Sequence, residues 1–153
     1  MSNGPPPVLT ELKLTDEIKD AVNNAFGARR PMVIAYVDES GAPQMSYRGT
    51  TQAFSDTQLA IWVRNPEGRI LESLEKNPAV ALLYGYFEEK DRGFMFFRGR
   101  ARRDDSEAVR KQIYERAHEF EQEKDPERKG VAVVIDLDSV DGFFGGARIE
   151  MRR

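Results

Sequence analysis

Arg48, Arg64 and Arg69 are the residues whose type and spacing point most directly to chemistry. They flank a turn at Ser55-Asp56-Thr57 that separates two runs of alternating residues. If that turn is symmetric about Asp56, positions summing to 112 face each other, which sets Arg48 opposite Arg64, Thr50 opposite Trp62 and Gln52 opposite Ala60. The other face holds Gly49, Thr51, Ala53, Ile61 and Val63, the more apolar set and therefore the core side. Two guanidinium groups across a hairpin repel unless something negative lies between them. Arg69 follows on a segment expected to start a helix at Pro66, and the first amides and positive dipole end of a helix attract anions. Three planar forks beside a helix start suit a phosphate monoester. The competing reading is surface pairing of these arginines with Asp56, Glu67 or Glu72, worth about 0–1 kcal/mol per pair.

Composition removes several other chemistries. The chain has 153 residues and no cysteine, so thiol nucleophiles, disulfides, thiolate zinc sites and cysteine-held iron–sulfur clusters are excluded. Its only histidine, His118, rules out a multi-histidine zinc site. No Gly-x-Ser-x-Gly elbow is present to support a serine triad. A net charge of −3 and a pI near 5.4 argue against a dedicated nucleic-acid binder. The first residues lack the charged and apolar regions of a secretory signal, and no apolar run approaches the ~20 residues of a membrane helix, so a soluble cytoplasmic protein is expected. Asp136 and Asp138 share a strand face, but solvated carboxylates are the favoured reading over a cation site.

The elements that position these residues read as one domain. Residues 1–13, with three consecutive prolines, are expected to be a flexible arm, and 14–153 a single folded unit. Thr15 caps a first helix with Leu14, Ile18, Val22 and Ala25 on one side. Strands are expected at 32–37, 44–54, 59–64, 79–87 and 94–103, with a short helix from Pro66 to Lys76 ended by Asn77-Pro78. A longer helix follows Asp104-Asp105-Ser106, its inward stripe Val109, Ile113, Ala117 and Phe120, and ends at Asp125-Pro126. Final strands at 131–137 and 142–151 are joined through residues 138–141; Phe143-Phe144-Gly145-Gly146 reads as a bulge or a close approach to a partner subunit or ring pocket. Hairpin-connected strands with helices at the start, in the middle and before the last pair make a mostly β, α+β fold: a small antiparallel split barrel with helical plugs.

The runs Pro43-Gln44-Met45-Ser46-Tyr47-Arg48-Gly49-Thr50-Thr51, Leu59-Ala60-Ile61-Trp62-Val63-Arg64, Gly68-Arg69 and Leu74-Glu75-Lys76-Asn77-Pro78-Ala79-Val80-Ala81 resemble the pyridoxamine 5′-phosphate oxidase-related, FMN-binding split-barrel family. Phe97-Arg98-Gly99-Arg100-Ala101 is similar to that family's next strand. The resemblance implies a homodimer with FMN in grooves at the subunit interface, and carries cofactor contacts onto Arg48, Gly49, Thr50, Thr51, Gln52, Val63, Arg64 and Arg69. Thr50, Thr51 and Gln52 would follow the ribityl chain and ring edge, and Trp62 would be either a wall of the site or a half-buried hairpin aromatic. An FMN-dependent oxidoreductase acting on a small substrate is the implied activity, with no catalytic side chain assigned. A deazaflavin reductase on the same fold is one alternative; a flavin or haem carrier or sensor is another, with His118 as haem ligand set against a surface or capping role. Ile70 stands where the family has a second basic residue, and Arg148-Ile149-Glu150-Met151 does not match its pyridoxal phosphate grip, so vitamin B6 oxidation is not implied.

Overall fold

Helix α1 starts where the cap predicts: Thr15 Oγ1 accepts from Ile18 N at 3.2 Å, and Asp16 and Glu17 lie in the positive first turn. In the computed structural model, which describes residues 4–153, α1 (Asp16–Asn24) buries Ile18, Ala21 and Val22. It is preceded by a strand. β1 (Val8–Glu11) lies parallel to the last strand, and Leu12 and Leu14 are buried behind it, so the expected flexible arm is corrected from residue 8 onward. A short edge strand needs only one hydrogen-bonding neighbour, and its prolines lie before it in the exposed stretch 4–7. Residues 1–3 of that expected arm lie outside the described residues.

The remaining strands are β2 (Met32–Val37), β3 (Pro43–Arg48), β4 (Gln52–Ser55), β5 (Gln58–Val63), β6 (Ala79–Tyr86), β7 (Gly93–Arg103), β8 (Val131–Phe144) and β9 (Ala147–Arg152). They form one sheet in the order β1-β9-β8-β7-β6-β2-β3, with β5 also pairing β8 and β4 pairing β5. This is the expected split barrel of an α+β chain. Every pair is antiparallel except β1 with β9, which makes the sheet mixed rather than purely antiparallel.

β8 holds the two halves together. Its first part pairs β5 (Val63↔Val131 to Gln58↔Asp136) and its last part pairs β9 (Ser139↔Arg152 to Phe144↔Ala147). Between them the ladder with β7 steps from Gly99↔Leu137 to Arg98↔Ser139, leaving Asp138 as a bulge. The break expected at 138–141 is therefore only this bulge, and the hairpin turns at Gly145 and Gly146 instead. Both have positive φ, 59° and 80°, which a two-residue turn of this hand requires.

The barrel interior collects Ala53, Leu59, Ile61 and Val63 with Ile34, Phe97, Val133 and Ile135. On the opposite face of β5, Ala60 and Trp62 pack with Ala132 and Val134 against Ile113 and Tyr114 of helix α3 (Glu107–Arg116). Both faces follow the alternation read from the sequence. The long helix expected after Ser106, however, breaks: Ala117 turns extended (ψ 151°) and α4 (Glu119–Glu123) restarts at His118, leaving Phe120 half exposed. The Gln122 amide fixes the break by donating to Tyr114 O, Glu115 O and Ala117 O at 3.1, 3.1 and 3.0 Å. Helix α2 (Arg69–Lys76) begins at Arg69, not Pro66, because Asn65 closes a turn by accepting from Glu67 N and Gly68 N.

Outside the barrel, β3, β2, β6 and β7 present an apolar row, with Tyr47 paired to Val33, Val33 to Leu83 and Leu83 to Phe96. Met45 and Tyr47 are 71% and 73% exposed. Among the described residues no helix is long and apolar enough to cross a membrane.

Candidate functional site

The hairpin arithmetic holds near the turn: Gln52 faces Ala60 and Ala53 faces Leu59. It fails toward the arginines. At Gly49 the chain leaves the ladder, and Arg48 pairs with Met32 on β2 rather than with Arg64. Thr50 explains the departure. Its hydroxyl accepts from Trp62 N at 2.9 Å and donates to Trp62 O at 3.0 Å, doing with a side chain what the backbone would do in a continuous strand. Thr51 Oγ1 donates to Arg48 O at 2.7 Å and Gln52 Nε2 to Ile113 O at 3.0 Å.

The split between β3 and the end of β5 opens a groove of about 710 Å³. Arg48, Gly49, Thr50, Val63, Arg64 and Arg69 all line it; Thr51 and Gln52 do not, and are buried, with Thr51 Oγ1 and Gln52 Nε2 donating to backbone carbonyls and Gln52 Oε1 left without a partner among the described residues. Arg48 is the innermost cation. Burial is the largest influence on its guanidinium and pulls its pKa below the ordinary arginine value; nearby Tyr36 opposes this, the Arg64 charge adds to it and Glu121 opposes it. Its Nε is buried without a hydrogen-bond partner among the described residues.

None of the three arginines has a carboxylate partner among the described residues, although Arg98, Arg100, Arg102, Arg103, Arg152 and Arg153 all hold aspartates. Of the three carboxylates weighed as their partners, Asp56 and Glu72 are used elsewhere, and Glu67 forms no ion pair with any of them among the described residues. Asp56 pairs with Lys19, and Glu72 shares a hydrogen bond with Glu39 that raises its pKa. Surface pairing with Asp56 or Glu72 is thus not what holds Arg48, Arg64 and Arg69. Three unpaired guanidinium groups at the start of α2 form an anion-attracting surface.

Sequence reading missed Phe26, Tyr36, Tyr47, Glu121 and Lys124, which complete the lining. Tyr36 and Tyr47 are paired-strand aromatics with no motif of their own. Glu121 and Lys124 reach the groove only because the helix breaks at Ala117, which periodicity does not signal. Phe26 ties that wall to α1, stacked on Phe120 at 6.0 Å and edge-on to His118 at 5.1 Å. His118 itself caps α4, its Nδ1 accepting from Phe120 N at 3.0 Å.

Trp62 lines the groove yet is only 3% exposed. Its Nε1 donates to Asp125 Oδ2 at 2.9 Å, and Asp125 also accepts from Lys129 N and Gly130 N. Gly130 is required here because a Cβ would meet Trp62 Nε1 at 2.4 Å. Asp136 and Asp138 answer Arg102, Arg100 and Arg153, and no metal-ligand cluster occurs among the described residues.

Comparison with known proteins places this geometry. The chain is similar over its length to HupZ of Group A Streptococcus (TM-score 0.66, 19% identity, 88% of this chain and 97% of that one). It is also similar to an FMN-binding protein of Syntrophomonas wolfei (TM-score 0.64, 8% identity, 82% and 86%). A third likeness is to a Clostridium acetobutylicum protein related to general stress protein 26 of the pyridoxinephosphate oxidase family (TM-score 0.60, 13% identity, 90% and 96%). At these identities the likeness is one of fold. Comparison with curated proteins gives no match. The profile of pyridoxamine 5′-phosphate oxidase matches residues 14–141, which takes in both strands of the hairpin, the start of α2 and all of the groove, and the chain belongs to that family.

Proposed function

We propose that the groove binds FMN through its phosphate and that the protein is a flavin-dependent oxidoreductase of small substrates. The observation that carries this reading is the set of three arginines without carboxylate partners among the described residues, Arg48 among them with a buried Nε that no described residue satisfies. The donor set fits a phosphate monoester: planar forks from Arg48 and Arg64 and the first residue of α2, Arg69. Ile70, at the family's second basic position, is 2% exposed inside the core, so Arg64 is the cation that takes over there. Thr50, Thr51 and Gln52 act differently from a polyol-binding row: their polar groups hold the backbone of residues 48–52 in place, and the approach to the ligand falls to Gly49 and the Thr50 backbone.

When bound, the flavin supplies hydride or electron transfer. This chain's residues anchor the phosphate, wall the groove with Trp62, Tyr36 and Tyr47, and keep water from its inner end. Membership of a family with FMN-binding relatives supports the reading. A homodimer belongs to the same proposal, because Tyr47 lies both in the groove and on the apolar row that crosses β3, β2, β6 and β7. Replacement Arg48→Glu tests the assignment: FMN retention after gel filtration is expected to disappear while the far-ultraviolet spectrum stays unchanged. An Arg48→Glu protein that keeps its flavin overturns it.

A further inference from the structure

Glu121 is the one acidic side chain among the residues lining the groove, and the fold does not explain it. Its side chain is 11% exposed, and its nearest cation, Lys124 Nζ, lies at 3.6 Å, beyond hydrogen-bond reach. No described residue donates a hydrogen bond to the carboxylate. It lies against the Gly49 backbone, where a Cβ would come within 2.8 Å of Glu121 Oε1. Its charge also reaches Arg48. Its carboxylate oxygens keep open acceptor positions toward the groove. Helix capping does not require it, since Gln122 and His118 hold the α3–α4 junction.

Every other charged group on the groove is a donor: Arg48, Arg64, Arg69 and Lys124. The fully ionised phosphate of a monoester carries no hydrogen and has no use for an acceptor among them. We propose that Glu121 reads the organic part of the ligand, accepting a hydrogen bond from a hydroxyl or N–H of a phosphate monoester whose phosphate lies on the arginines. The inference rests on the phosphate-binding reading of the groove. It assigns the site to ligands that carry a phosphate at one end and a donor, such as a polyol hydroxyl, a few bonds away. Glu121 is then a selectivity residue for hydroxylated monoesters over a bare, proton-free oxyanion.

The test compares wild-type and Glu121→Gln affinities for inorganic sulfate, a tetrahedral oxyanion with no hydrogen to donate, ribitol 5-phosphate and FMN by titration calorimetry. Removing a negative charge by itself tightens the hold on any anion, so sulfate affinity should stay constant or rise in the variant. Affinity for the two hydroxylated monoesters should fall about tenfold, the loss of one charge-assisted hydrogen bond. Parallel changes for all three probes overturn the proposal, whether all rise from altered charge or all fall from a displaced α4. Failure of the flavin reading is separable: if wild-type protein ignores FMN but binds ribitol 5-phosphate, the comparison of that probe with sulfate still judges Glu121. Wild-type protein that binds none of the three overturns both.

Discussion

Thr50 shows how much rests on single side chains in this groove. Its hydroxyl satisfies both the N–H and the carbonyl of Trp62 in a buried setting. Thr50→Val keeps the shape but leaves both backbone groups unpaired, and should lower the denaturant-unfolding free energy by about 2–4 kcal/mol. Asp125 makes a related point with charge. Burial pulls its pKa upward, but donation from Lys129 N, Trp62 Nε1 and Gly130 N, helped by Arg110, outweighs burial and holds it below the ordinary carboxylate value. The unfolded carboxyl titrates near 3.9, so this group's stabilisation is full above about pH 4 and is lost as pH falls toward the folded pKa. Asp125→Asn should therefore lower the melting temperature at pH 7 and flatten its fall between about pH 4 and 2. An acid limb as steep as wild type would refute that role. At this scale the groove arginines were legible by charge and spacing, although the pairing of Arg48 with Arg64 does not form, and Trp62 by its place opposite Thr50. Glu121 and Lys124 were not, since they reach the groove through a helix break set by side-chain contacts of Gln122 and His118 that periodicity does not register.

Among the elements, strands were read well and junctions poorly. Alternation placed Ile61 and Val63 inside the barrel and Ala60 and Trp62 outside it, as observed. Three junctions escaped because the atoms that set them are side chains or distant backbone. Thr50 interrupts the second strand, Gln122 divides the long helix, and β9 recruits residues 8–11, which prolines had marked as an arm. The α3–α4 break is the one with functional weight, since it delivers a wall of the groove. Gln122→Ala removes the amide's donations to Tyr114 O, Glu115 O and Ala117 O and should cost about 1–2 kcal/mol, with faster amide exchange in 114–123. Ligand affinity should fall with it. Unchanged exchange there would mean the junction is held by other contacts, chiefly the Phe26–Phe120 stack.

For the molecule as a whole, the apolar row across four strands is the feature a lone barrel leaves in water. Tyr47, Leu83 and Phe96 are 73%, 39% and 39% exposed along one line of strand pairing. Large contiguous apolar patches of this kind mark association surfaces. Sedimentation is expected to give a dimer, and Leu83→Glu a monomer of unchanged secondary structure; a monomeric wild type at high concentration would remove the dimer from the account. The overall negative charge makes the cationic groove a local exception that composition could only hint at through its excess of arginine over lysine. The central claim is that this exception holds a flavin phosphate, and the single tryptophan reports on it, because Trp62 lines the groove. The most direct measurement is a titration of the protein with FMN followed by Trp62 fluorescence and by flavin retained after gel filtration. Saturable quenching with about one FMN retained per chain is the predicted result, by analogy with a flavin whose phosphate is anchored in each groove. Unquenched Trp62 and a colourless protein at saturating FMN would contradict it.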